Sequence, residues 1–372
     1  MSSVAAAART ALYDRHIALG ARMASFAGFE MPMWYAGIKV EHCAVRTSAG
    51  LFDLSHMGEV YIEGPHAYEF VQHLTCNDIR RVGDGGCQYT LFPTPEGGVV
   101  DDLIAYQWTP ERYMLVVNAS NIEKDVEWIN SHNKFDAKVT DHSAAMSLVA
   151  VQGPKTDAIL TDFGVKNIAC QPQFTFRKVK VQGNEVIVAG TGYTGERGFE
   201  LIVENDKAPW LWDRLMEVGA PHGIAPVGLG ARDTLRLEMA YSLYGHELSS
   251  EISVLNANLG WTVRLGNDFI GRDFLAAQKQ KGVDRIIAGF VVDAKLGAPR
   301  QGAPVFNDNG GEIGYVTSGS FSPSLEKGIA LCLIDPKFAQ AGGKVQVDIR
   351  GGKVPGDVVD LPFYKKPNVI NL

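Results

Sequence analysis

Apolar and polar residues alternate along this chain in many short runs separated by glycine or polar turns, the period-two signature of half-buried strands. Such runs cover 59–62, 99–106, 113–117, 146–151, 179–181, 185–188, 199–203, 286–292 and 345–349. Apolar residues spaced by three and four predict helices over 67–74, 122–132, 208–219 and 228–239. Strand runs often follow one another through short turns without a crossover helix, so the class is α+β with mostly antiparallel pairing. From about residue 284 the pattern is almost wholly strand and turn, which predicts a small β-barrel or sandwich.

Length and composition narrow the picture. A chain of 372 residues exceeds one ordinary core and implies two or three domains. No apolar run is long enough to span a bilayer. A formal net charge of -7 argues against nucleic acid as the main partner, because phosphate neutralisation needs clustered Lys and Arg. The five cysteines are widely spaced with no CxxC, so they suggest neither a zinc site nor a disulfide framework, and a reducing compartment is expected. Met1 to Arg9 is small-residue-rich but too short for a transit peptide, so a bacterial cytoplasmic protein starting almost at its fold is expected.

Two stretches carry candidate chemistry. Gly97-Gly98-Val99-Val100-Asp101-Asp102-Leu103-Ile104-Ala105-Tyr106 reads as a glycine turn entering a strand. Period two puts Asp101 on a face with Val99, Leu103 and Ala105, and Asp102 on the other with Val100, Ile104 and Tyr106. Both faces are apolar, and a carboxylate taken from water is costly unless paired. Either one Asp answers to a ligand or fixed partner, or the strand begins at Leu103 and both cap the turn.

The second stretch, Gly190-Thr191-Gly192-Tyr193-Thr194-Gly195-Glu196-Arg197-Gly198-Phe199-Glu200, contains a literal GxGxxG. A dinucleotide site would need a helix opening at the third glycine, yet a strand-type run follows, which argues against NAD. The histidines show no metal-ligand spacing and no GxSxG elbow is present. The run 230–238 places Arg232 and Arg236 four apart with acidic neighbours, the pattern of a solvated helix face.

Taken in order, HIALGARMASFAGFEMP, EHCAVRTSAGLFD, Ser55-His56-Met57, GGVVDDLIAY, LVVNAS, TGYTGERGFE, LGARDTLRLE, LYGHEL, NLGWTV, FIGRDFL and SGSFSPSLEKGIAL resemble the signatures of the glycine cleavage T-protein family, the aminomethyltransferases. The motifs run from residue 16 to about 335.

The resemblance implies a three-domain cloverleaf ring with a folate in a central channel. Its expected parts are a discontinuous first α+β domain over 1–50 and 145–275, an inserted second α+β domain over 51–144, and a C-terminal β-barrel over 284–372. The implied reaction passes the one-carbon unit from the aminomethyl-dihydrolipoyl arm of lipoylated H protein to tetrahydrofolate, releasing ammonia, with no metal, nucleic acid or membrane involved. By the same resemblance Asp101 is the catalytic acid beside the reacting folate nitrogens, and Asp102 is structural. Glu200 accepts from the pterin's amino edge, and Arg232 sits at the folate site. Tyr193 and Trp261 form ring walls, and Met57, Tyr89, Val117 and Asn118 line the channel; Arg236 keeps the solvated reading. The implied alternatives are a related folate-dependent demethylase and a non-catalytic folate-binding regulatory protein.

Overall fold

The computed structural model describes residues 7–366, so most of the 1–9 segment and the tail from Pro367 lie outside the described residues. The chain divides into two compact units. One comprises Met1–Phe92, Asp101–Arg232 and Gly266–Ile270; the other comprises Pro93–Val100, Asp233–Leu265 and Gly271–Leu372.

The first unit holds two large sheets. A six-stranded sheet runs in the order Phe176–Val181, Asn184–Ala189, Gly198–Glu204, Met146–Gln152, Ala49–Asp53, Ile224–Pro226, antiparallel except at the last pair. Phe199, Leu201 and Val203 alternate into a core with Phe163, Trp212 and Leu215, which come from the helices Thr156–Phe163 and Ala208–Gly219. That alternation turns Glu200 to the opposite face of the sheet.

The second sheet runs Gly86–Pro93, Val99–Thr109, Arg112–Val117, Gly58–Glu63, Lys138–Asp141. In its register Ile104 lies opposite Val116, and Gly58 opposite Val117. A Cβ on Gly58 would come within 2.7 Å of Ile122, so the Gly58 and Val117 face is the one covered by the Ile122–Ser131 helix. A smaller sheet of Ala8–Arg9, Phe29–Trp34 and Arg22–Phe26 precedes both.

In the second unit the strand-and-turn region closes into a six-stranded barrel, Ile286–Asp293, Lys327–Ile334, Glu312–Ser322, Pro304–Phe306, Lys344–Ile349, Gly352–Val359. Phe290, Val316, Cys332 and Val347 fill it. Closure decides between barrel and sandwich, and removes the exposed edges that an open sheet of these strands would carry. Among the described residues no helix is long and apolar enough to cross a membrane.

Candidate active site

The Val99–Thr109 strand begins at Val99, ahead of both aspartates, so neither caps a turn. The glycines before it are demanded by backbone approach: a Cβ on Gly98 would fall 1.9 Å from the Ser250 carbonyl oxygen. From the register, Asp102 shares a face with Ile104, Val116 and Tyr106, while Asp101 shares the helix-covered face with Val117.

Asp101 was expected to meet the ligand, but its side chain is fully buried on the helix side. Its oxygens accept from the Asn118 backbone N–H (3.0 Å), the Asn118 amide (2.8 Å) and the Asn121 amide (2.6 Å). Burial raises its proton affinity and these donors pull it back. Val117, expected to line the channel, is likewise buried on that face.

Asp102 stands half-buried on the face away from that helix, where Tyr89 donates its hydroxyl at 2.9 Å and the Asn118 amide donates at 2.8 Å. Burial first and the neighbouring Asp101 charge second push Asp102 up to about 7. A carboxyl poised there exchanges a proton readily near neutrality. Burial drives the Tyr89 phenol well above its ordinary value, so it remains a donor.

The glycine-rich stretch crosses without a helix into the Gly198–Glu204 strand, as its composition predicts. A Cβ at Gly192 or Gly198 would collide with the Gln152 side chain at 2.3 and 2.5 Å, which is why side chains are missing there. The loop carries Thr191, whose hydroxyl donates to Glu200 at 2.5 Å and sits 3.3 Å from the Tyr106 hydroxyl. Burial raises the Glu200 carboxyl, and Thr191 and then Arg232 oppose that. The Arg232 guanidinium lies 4.6 Å from the Tyr193 ring centre.

These contacts gather Asp102, Tyr89, Tyr106, Glu200, Tyr193 and Arg232 from three separated stretches into one neighbourhood of the first unit. Tyr106 and Thr191 were not anticipated as site residues. Tyr106 shares period-two parity with Asp102, a signal available beforehand. Met57 is half-buried in the turn leading to Gly58–Glu63, and Asn118 bridges both aspartates. Trp261 belongs to the second unit, in the one-turn segment Gly260–Thr262, and is 57% exposed.

Nearby, His56 is fully buried with no partner for Nδ1 among the described residues, and burial followed by Arg232 pushes it down to about 4, so it is neutral. Glu59 shares the Asp102 face, fully buried with neither oxygen partnered among the described residues; burial raises its carboxyl well above the ordinary range. One expectation is corrected outright. Arg236 is 1% exposed, not solvated, and its guanidinium pairs with Glu247 at 3.1 Å and Asp233 at 2.7 Å.

A carboxyl titrating near neutrality, a second carboxylate with a hydroxyl support, tyrosine rings and one guanidinium suit a flat, polar-edged heterocycle. The carboxylate matches an amino–amide edge, the rings match its faces, and the poised acid matches a protonating nitrogen.

Comparison with known proteins matches residues 12–267 to the GCVT N-terminal domain and residues 285–365 to the glycine cleavage T-protein C-terminal barrel domain. An aminomethyltransferase of Chlorobium luteolum is 46% identical over 361 residues, covering 96% of this chain and 98% of that protein. One from Bacteroides fragilis is 45% identical over 359 residues, covering 96% and 99%. The crystal structure of glycine cleavage system aminomethyltransferase T from Bartonella henselae superposes with a TM-score of 0.89 at 32% identity, covering 96% and 98%.

Proposed function

The chain belongs to the glycine cleavage T-protein family, and from that premise we propose that it is a tetrahydrofolate-dependent aminomethyltransferase whose donor is the aminomethyl-dihydrolipoyl arm of lipoylated H protein. The reaction gives 5,10-methylenetetrahydrofolate, ammonia and the free dihydrolipoyl thiol. The activity reading is carried by the identity of 46% maintained over 96% of the chain. Bacterial relatives support a cytoplasmic setting.

The balance of the reaction defines what the protein must do. Two folate N–H hydrogens leave as the methylene bridge forms; one ends on ammonia and one on the lipoyl sulfur. The folate supplies the nucleophilic nitrogens, and the chain supplies orientation and a place for protons. Asp102 is the group suited to the second task, because it stands half-buried on the face away from the helix, beside Tyr89, with proton affinity near neutrality. Its carboxylate accepts a proton from a folate nitrogen and returns it to a leaving group. Asp101, buried behind the strand, is a support. Glu200 accepts from the pterin's amino edge, with Thr191 and Tyr106 fixing its oxygens, and Arg232 braces the Tyr193 ring.

Division into three bodies over 1–50 with 145–275, 51–144 and 284–372 belongs to the same proposal. Support comes from three separate large sheets, although the first boundary, at 50/51, cuts the Ala49–Asp53 strand, which pairs with Met146–Gln152 through Asp53.

The test is product formation from tetrahydrofolate and aminomethylated H protein, with each component omitted in turn. Dependence of both methylenetetrahydrofolate and ammonia on both substrates is expected. Carbon transfer from an N-methyl or S-methyl donor without H protein would replace this reading by the demethylase one.

A further inference from the structure

Asp125 lies on the Ile122–Ser131 helix, fully buried, with no N–H or O–H among the described residues donating to either oxygen. It lies one turn along from Asn121, whose amide donates to Asp101, and so stands on the side of the helix that faces Asp101. Two fully buried carboxyls that face each other do not both ionise, so one of them carries a proton. Asp101 already receives three N–H bonds, which favour its charged form, so the proton resides on Asp125. Burial and the adjacent Asp101 charge both raise Asp125, to about 10.

From Asp101 the bonding continues outward. The Asn118 amide spans the two neighbouring carboxylates at 2.8 Å each, and Asp102 is held from its other side by Tyr89. The result is a line of contacts, Asp125, Asp101, Asn118, Asp102, Tyr89, running from beneath the helix, through the sheet, to the face away from that helix.

We propose that Asp125 is a positioning residue: a permanently neutral acid that keeps Asp101 ionised, so that Asp101, acting directly by charge and through the Asn118 amide, sets the orientation and proton affinity of Asp102. This rests on Asp102 being the proton-handling group proposed above. Other titratable or charged groups facing the line are Lys124 beside Asp125 on the helix, and Tyr193 from the glycine-rich loop and Cys76 beside Tyr89.

The experiment reads the Asp102 titration directly, by carbon NMR of the full chain carrying [13C-carboxyl]-aspartate, with the resonance assigned through Asp102→Asn. In Asp125→Asn an amide N–H replaces the carboxyl O–H toward Asp101, and the Asp102 midpoint stays where it is. In Asp125→Leu the donor is lost, Asp101 loses its hold on the charge, and the Asp102 midpoint falls. Asp101→Asn removes the charge outright and lowers the midpoint by about one pH unit. The proposal is overturned if Asp125→Asn moves the midpoint as far as Asp125→Leu does, because an ionised Asp125 would then be the operative form. It is overturned equally if Asp101→Asn leaves the midpoint in place, an arm that holds should Asp125→Leu fail to fold. The acid limb of turnover is followed in parallel. A limb that ignores a midpoint shift seen by NMR removes Asp102 from the chemistry while leaving the positioning line intact.

Discussion

Two identical residues side by side at 101 and 102 do opposite things because the strand turns successive side chains to opposite faces. The sequence contains this parity, but not which face a helix would cover; that is decided by Ile122 packing over Gly58, a tertiary fact. The resemblance assigned the reactive role to Asp101, which the structure places on the helix-covered face. For the same reason the two conservative variants should differ. Asp102→Asn is expected to lower kcat by about 10²-fold or more while folate binding changes only a few-fold, measured by turnover and by equilibrium binding in parallel. A near-normal rate would remove Asp102 from proton transfer. In the unmodified enzyme, turnover that needs the ionised form rises with pH and levels off above the value near 7. At Glu200, replacement by Ala is expected to weaken folate binding by about 1.5–3 kcal/mol, the range for hydrogen bonds to a charged group. Unchanged affinity would place the pterin elsewhere.

Elements with strong periodicity were legible. The helices Ala67–Leu74 and Ala208–Gly219 occupy the predicted ranges, and Ile122–Ser131 and Leu229–Glu238 end one residue inside them. Strands with period-two alternation were likewise found where expected, extended by a residue or a few at their ends. Ala49–Asp53 was not, because it is buried throughout and a run closed on both faces shows no alternation. The helix Ile38–Thr47 was also missed; it leaves Ile38 and Val40 exposed, which blurs the apolar stripe. Within Leu229–Glu238, charge spacing misled at Arg236, since an acidic partner three residues away looks the same whether the pair is wet or dry. The partner that burial requires, Glu247, comes from outside the helix. Glu247→Ala leaves that guanidinium buried with less compensation and is expected to cost about 3–5 kcal/mol in chemical denaturation. A loss under about 0.5 kcal/mol, usual for surface substitutions, would mean the pair is solvated after all.

Over the whole molecule, several buried acids push stability in one direction. Burial raises Asp102, Asp125 and Glu59, so each contributes most below its unfolded value and loses that contribution as pH rises toward its folded value. Asp53 runs the other way: His16 holds it low against burial, and its contribution disappears as pH falls below the ordinary carboxylate range. The unfolding midpoint is therefore expected to peak in mild acid and decline from about pH 5 to about pH 9, with a shallower decline in Asp125→Asn. A midpoint rising across that range would contradict the assigned protonation states. A different consequence follows from the strand order of the six-stranded sheet. Its members come from both sides of the 58–141 stretch, and its last strand, Ile224–Pro226, is read late in the message. On the ribosome the five-stranded sheet has all its strands well before its larger neighbour does. The later sheet must then assemble around an already finished insert, leaving Ala49–Asp53 to wait for Met146–Gln152, about a hundred residues of synthesis away.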